Sequence, residues 1–231
     1  MNGNSDAFVT THQLAYNYIR EQILLGNYSG GMHLDLAKIA SILNISRMPI
    51  RDALRQLDAE GLVVMRPNRR AVVTSLTPLE VEQLFEMRAV LEALSVRYVV
   101  AQLDDNATYE LKLLKDRMDH ARHDRLLWIQ RHNEFHHFIS NLSDRKLLSR
   151  EINLLLTAVQ PYVLMYINIY GKTEMEGYEH DELLAAILSG DAERAEACMR
   201  DHVLSTARGI VSFLEERKAD GTGRQPDLVH E

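Results

Sequence analysis

The sequence predicts a mostly α-helical protein in two parts: a winged helix-turn-helix within residues 1–76, then an all-α bundle over residues 77–218. Three observations carry this. Residues 36–73 read as closely spaced short helices followed by a two-stranded wing. Beyond residue 76, six stretches of helical character follow one another with no strand signal between them. The charge divides at the same place: residues 1–76 hold eight Lys/Arg against six Asp/Glu, and the remainder eighteen against twenty-seven, so a balance of +2 is followed by −9.

Residues 1–8 are small and polar and are expected to form a mobile arm. Thr10 or Thr11 can start a helix whose buried side is Ala15, Ile19 and Ile23 and which ends at Gly26; Gly30-Gly31 then makes a turn. Asp35 can cap a helix carrying Leu36, Ile39, Ala40 and Leu43, and the Asn44-Ile45 turn is short enough to cross it against the next. Ser46 is a good cap for that next helix, Pro49 is tolerable in its first turn, and Gly61 suits the position past its end. Ile50, Ala53, Leu54 and Leu57 recur at the spacing of one buried face, while Arg47, Arg51 and Arg55 form a separate stripe. One helix thus has a core side and a cationic side, as expected of an element whose N-terminal residues enter the major groove of double-stranded DNA. Residues 62–65 and 71–73 flank Pro67-Asn68-Arg69-Arg70, so a hairpin is expected there, with Arg69, Arg70 and Ser46 placed for phosphates or a minor groove.

The second part opens with Thr77-Pro78-Leu79-Glu80, a capping box with proline at the first helical position, and its helix runs on through about Leu103. A second helix covers about 107–120. Asp124 can cap a third over 126–141, and Ser143 or Asp144 starts a long fourth reaching about 169. Thr173-Glu174-Met175-Glu176 offers another capping box, Gly190 closes that fifth helix, and Asp191 caps a sixth running to about Arg217. Residues 219–231 carry two glycines, a proline and few apolar side chains, and are expected to be disordered.

With 46% hydrophobic and 26% charged residues, the chain has the composition of a folded soluble protein, and no apolar run approaches the ~18 residues of a membrane span. No secretory signal pattern is present and Cys198 is the sole cysteine, so a reducing cytoplasmic location is expected and an internal disulfide is excluded. A strongly acidic second part is repelled by phosphate, which assigns it some task other than touching DNA.

That task is suggested by four of the ten histidines. His132 and His136 stand four apart on the third bundle helix and project from one face. His180 and His202 lie about equally far on either side of the Gly190-Asp191 turn, so an antiparallel hairpin brings them level. A set of imidazoles suits a divalent transition metal, zinc first, with nickel, iron or copper as alternatives, rather than magnesium or calcium. The bland alternative is four core or surface histidines without a common purpose. His12, His33, His120, His123, His137 and His230 share no such register and are expected at the surface. Arg88 falls in the interior register of its helix between Leu84 and Leu91; a carboxylate effector would satisfy its guanidinium, and so would a salt bridge to Glu92 or to an acid on another helix. Tyr162, Tyr166 and Tyr170 form a stripe that suits core or dimer packing better than a cavity wall, and Cys198 suits a small buried hydrophobe better than a metal ligand. A metal-dependent enzyme on the bundle is the competing class, since Glu134 and His137 form one Glu-x-x-His. Its second copy is missing, and so are a His-Glu-x-x-His run, a phosphate-cradling glycine loop and a serine elbow.

Through AYNYIREQILLG, the L-x4-IA-x2-L-x-ISR run, PIRDAL and LDAEGLV, the first third resembles the GntR family of bacterial transcription regulators. The resemblance implies a homodimer reading an inverted-repeat operator, most commonly as a repressor relieved by its ligand. Where the family usually has a wing-tip glycine, this chain has Arg70, for which a left-handed conformation would be costly. The second part is similar to the FCD ligand-binding domain of the FadR-type branch, through Phe85, Arg88 and Leu91-Glu92, through Phe135-His136, and through Glu179, His180 and His202. Six helices match the shorter, VanR-like version. The similarity implies a metal-anchored small carboxylate effector, with three histidines and an Asp or Asn around the ion. His132 stands at the Asp/Asn position, so an all-histidine set is implied, leaving the divalent charge uncompensated and attractive to an anion. Ser143-Asp144-Arg145 departs from the family's S-G-N run.

Overall fold

The structure, a computed structural model, describes residues 10–67, 70–170 and 173–219, and for 168–170 and 173–179 the backbone alone. The expected arm at 1–8, Arg69, the Tyr170 ring, the capping-box side chains at 173–176, the Glu179 carboxylate and the tail from 220 lie outside the described residues. The backbone divides after Ser75 into two compact units.

In the first unit α1 (Thr11–Leu24) is capped by the Thr10 hydroxyl, which accepts from the Gln13 amide, and it buries Ala15, Ile19, Ile23 and Leu24. After a two-residue strand β1 (His33–Leu34), the Asp35 carboxylate accepts from the Ala37 and Lys38 amides and starts α2 (Leu36–Leu43). Asn44, left-handed at φ 52°, ends that helix within one residue and turns the chain into α3 (Arg47–Ala59). Ser46 occupies the capping position of α3 but its hydroxyl makes no capping bond, a correction to the sequence expectation. Gly61 at φ 78° releases the chain into β2 (Val63–Arg66), which pairs antiparallel with β3 (Arg70–Val73). The sheet has the order β1-β3-β2, with His33 opposite Val72. Two residues are too few to show alternation, which is why β1 was invisible in the sequence. Arg70 sits in β3 opposite Arg66 and is not among the residues with positive φ, so this arginine does not take the costly conformation. Ile19, Ile39, Ile50, Leu54, Leu57 and Val73 fill the core between helices and sheet.

The second unit holds six helices and, among its described residues, no strand. Thr77 and Glu80 form the reciprocal capping box at the start of α4 (Pro78–Val100). Asp104 caps α5 (Asp105–His120) and Asp124 caps α6 (Arg125–Leu142). Next comes α7 (Lys146–Tyr170), which begins later than the sequence suggested. Ser143 closes α6, its hydroxyl donating to the Ser140 carbonyl while its oxygen accepts from the Arg145 amide, and Asp144 is left-handed at φ 52°, so α7 begins only at Lys146. A hairpin of α8 (Thr173–Leu188) and α9 (Ala192–Ala219) turns at Gly190, φ 76°, with Asp191 capping α9 through the Arg194 amide. Ala219, expected in the tail, is the last residue of α9. α4 packs along α9 and also touches α6 and α7, and α8 lies against α9, α5 and α4.

Candidate nucleic-acid interface and metal centre

α3 buries Ile50, Ala53, Leu54 and Leu57 and leaves Arg47 and Ser46 exposed on its other side. Arg51 is half-buried, with its Nε shielded from solvent and lacking a hydrogen-bond partner, a donor that an acceptor arriving from outside can satisfy. Arg55 is exposed and held 3.2 Å from Asp52. An exposed pair of this kind contributes at most about 1 kcal/mol, so Arg55 can exchange it for a stronger anion. The wing adds a residue that the sequence argument missed: Arg66 stands opposite Arg70 across the hairpin. Like charges facing one another disfavour pairing, and an anion between them reverses the sign. The signal was present as a basic residue on each side of the three residues 67–69.

In the second unit, His132 and His136 of α6, His180 of α8 and His202 of α9 are all buried, and one ring nitrogen of each lies within 4.8 Å of the others. Ring centroids are 4.5 Å apart for His132–His136, 5.1 Å for His132–His180 and 4.4 Å for His180–His202. An ion bound at ~2.1 Å keeps two ligands at most ~4.2 Å apart, so the 4.8 Å span needs only a small contraction to close. Trp128 and Phe135 wall the cluster, with centroids 5.0 Å from His132 and 5.9 Å from His180.

Glu92, buried on α4, explains the orientation of His136. Its Oε2 accepts from His136 Nδ1 at 2.9 Å, which places the proton on Nδ1 and leaves Nε2 buried, unprotonated and without a hydrogen-bond partner. A buried nitrogen lone pair of this kind fits a metal, and the other three buried imidazoles stand within reach of the same point. Burial, opposed only in part by Glu92, pushes His136 down to about 4, and burial together with the neighbouring imidazoles holds His132 well below its ordinary value. For Glu92 burial would raise the pKa, but the Arg88 guanidinium and the His136 bond outweigh it and hold the carboxyl at about 2.

Arg88 is likewise buried, its Nε donating to Glu92 Oε1 at 2.9 Å and its guanidinium lying 4.9 Å from the Phe85 centroid. Of the two partners the sequence left open, the structure contains the Glu92 salt bridge. It engages Nε alone, and the two terminal nitrogens hydrogen-bond no described residue. Glu92 also qualifies the expectation of an uncompensated divalent charge: one negative unit sits beside the cluster, but Arg88 balances it.

Other expected features are set aside from the cluster. Tyr162 accepts from the Leu76 amide at 2.6 Å, and Tyr166 packs against Gly209 and Phe213. Glu134 turns to Arg131 and Gln130 rather than to a metal. Cys198 lines a groove of about 590 Å³ along α8 and α9 with Arg194, Asp201, Ser205 and Arg208; His202 shares that wall, whereas the other three histidines and Arg88 do not. His137 is half-buried rather than on the surface, a small correction, and His33, His120 and His123 are exposed as expected. No described helix is long and apolar enough to cross a membrane.

Residues 11–73 match the model of "Bacterial regulatory proteins, gntR family", and residues 83–205 match that of the "FCD domain". An uncharacterized HTH-type transcriptional regulator, YdhC of Bacillus subtilis, is 24% identical over 88% of this chain and 92% of its own length. Two HTH-type transcriptional repressors of Escherichia coli are also similar: RspR at 22% identity over 89% of this chain and 91% of its own, and GlaR at 27% over 82% and 91%. Among solved structures, E. coli McbR/YncC superposes with a TM-score of 0.72 at 20% identity, covering 91% of this chain and all of the other, and Listeria monocytogenes Lar with 0.63 at 17%, covering 90% and 99%.

Proposed function

Because the chain belongs to the gntR family of bacterial regulatory proteins and carries an FCD domain, it is a DNA-binding transcription regulator and not an enzyme, and we propose that it is a cytoplasmic, homodimeric repressor controlled by a small organic acid. Residues 1–76 are its DNA-binding domain and 77–218 its effector-binding and dimerisation domain. The repressor sense rests on similarity to RspR and GlaR, both named as repressors. The observation that carries the effector assignment is the buried four-histidine cluster with Arg88 one carboxylate away from it.

His132, His136, His180 and His202 would hold a divalent transition ion, zinc first among nickel and iron. Such an ion supplies fixed positive charge to which a carboxylate oxygen can bind. Glu92 fixes the tautomer of His136 and keeps its Nε2 aimed inward. Arg88, held by Glu92 through one nitrogen only, offers its two terminal nitrogens to the same acid. Arg47, Arg51 and Arg55 read base edges in the major groove, while Ser46, Arg69 and Arg70, with Arg66 beside them, grip phosphates. One short reading helix provides few base contacts, so two protomers on an inverted repeat are needed.

Two measurements test these assignments. Replacing Arg51 with Ala should weaken operator binding by about 1–3 kcal/mol and relax sequence preference, whereas Arg70→Ala should weaken all sequences alike and flatten the salt dependence. An unchanged binding constant and preference in Arg51→Ala removes that residue from the groove. Elemental analysis of the purified protein before and after chelation, paired with a thermal-shift screen of small organic acids, tests the second domain; an acid that raises the melting temperature equally with and without metal makes the histidines structural and leaves Arg88 as the anchor.

A further inference from the structure

We propose that Lys115 is a positioning residue for the histidine cluster, holding α8 against α5 through Asp181 so that the adjacent His180 meets the other three imidazoles; the role rests on the metal-centre assignment above. Lys115 projects from α5 with its side chain 5% exposed, an unusual place for an ammonium group. Its Nζ lies 2.7 Å from Asp119 Oδ2 on its own helix and 2.5 Å from Asp181 Oδ1 on α8. The first bond is an ordinary i, i+4 pair. The second crosses between helices and ends on the residue next to His180.

Successive residues on a helix point ~100° apart. A tether on Asp181 therefore sets the rotation of α8 about its axis and, with it, the direction of the His180 ring. His132 and His136 share α6 and hold their spacing by helical geometry alone, and Glu92 orients one of them. His180 comes from a different helix, so its place in the cluster depends on how α8 is seated. A slip of one residue along the axis would move its nitrogen by ~1.5 Å, enough to break coordination.

The carboxylates do not need Lys115 for their own solvation. Asp181 has 58% of its side chain exposed, and Asp119 keeps a 2.8 Å bond to Arg122. Removing the ammonium strands no buried charge, so Lys115→Met should still fold while its tether is lost.

The experiment uses the full-length protein and Co²⁺ as the probe, reading affinity by titration and ligand geometry from the d–d absorption bands. Lys115→Met should lower Co²⁺ affinity about 10-fold, of the order of outer-shell changes at metal sites, and shift the bands toward those of His180→Ala. Asp181→Ala, which removes the acceptor at a half-exposed position that folding tolerates, should reproduce both effects. The double variant should be no worse than either single one, because all three break the same bond. Lys115→Arg, which can still bridge both carboxylates, should restore affinity and spectrum. Wild-type affinity and bands in Lys115→Met or Asp181→Ala overturn the role, and so does a fall in melting temperature with unaltered bands. Wild-type protein that takes up no Co²⁺ overturns the metal centre itself, and this role with it.

Discussion

Burying the His136 imidazole lowers its pKa to about 4, and His132 moves in the same direction, so both are ready-made ligands at neutral pH. Protons should therefore compete with metal at a lower pH than the value near 6 expected of ordinary imidazoles. The same shifts affect the metal-free protein. With a folded pKa below the unfolded value of 6.5, the unfolded state binds more protons, so this contribution is complete above 6.5 and is lost as pH falls toward 4. Urea unfolding of chelated protein should show a loss of about 2 kcal/mol between pH 7 and pH 5 from His136 alone. His136→Ala should remove that part of the slope and should also lower metal content; a variant with the wild-type slope would mean that the ring is not held neutral. The four histidines were legible in the sequence because i, i+4 spacing and equal distances from one turn need only the helix rise. The Glu92–His136 bond and the Lys115–Asp181 pair were not, because pairing across helices depends on rotations about axes that no single helix encodes.

Most helix starts were legible for a similar local reason: Thr10, Asp35, Thr77, Asp124 and Asp191 each accept from an amide two or three residues on, within one turn of chain. Ser46 and Asp144 fail where something else decides, a hydroxyl without its bond in one case and a left-handed backbone in the other. α4 presents a further element-scale feature. Beneath it Val81, Phe85, Ala89, Ala93 and Val96 are buried, yet on its outer side Met87, Val90 and Leu94 remain 48%, 53% and 39% exposed. A helix apolar on two sides normally buries both, and an apolar stripe of this kind marks an association surface. If it joins the two protomers, Val90→Glu should convert a dimer into a monomer in sedimentation at micromolar concentration, leaving the helical circular dichroism intact. A variant that still sediments as a dimer would move the interface elsewhere on the chain.

At the scale of the molecule the chemistry is partitioned: the arginine stripe precedes Ser75, all four histidines follow it, and the net charge changes sign between the two parts. His136→Ala and His202→Ala should therefore leave DNA affinity of the effector-free protein nearly intact while abolishing its response to the acid. For a response to exist, the two binding free energies must be coupled, and the short connection leaving the wing is the covalent route between the two sites. Tyr162 is where the bundle grips that connection, its hydroxyl accepting from the Leu76 amide at 2.6 Å beside the Thr77–Glu80 capping box. From one turn further along α7, Tyr166 lies against the backbone of Gly209, on the same helix as His202. One face of α7 thus touches both the connection and the helix that carries a cluster histidine. Tyr162→Phe removes the hydroxyl and keeps the ring, leaving the Leu76 amide without this partner, a change of about 1–3 kcal/mol in local stability. With the acid identified by thermal shift, the variant should bind metal, acid and operator each with wild-type affinity. The ratio of operator affinities with and without acid should nonetheless fall toward one. A ratio equal to the wild-type value would show that the signal leaves the bundle by a route that does not use this hydroxyl.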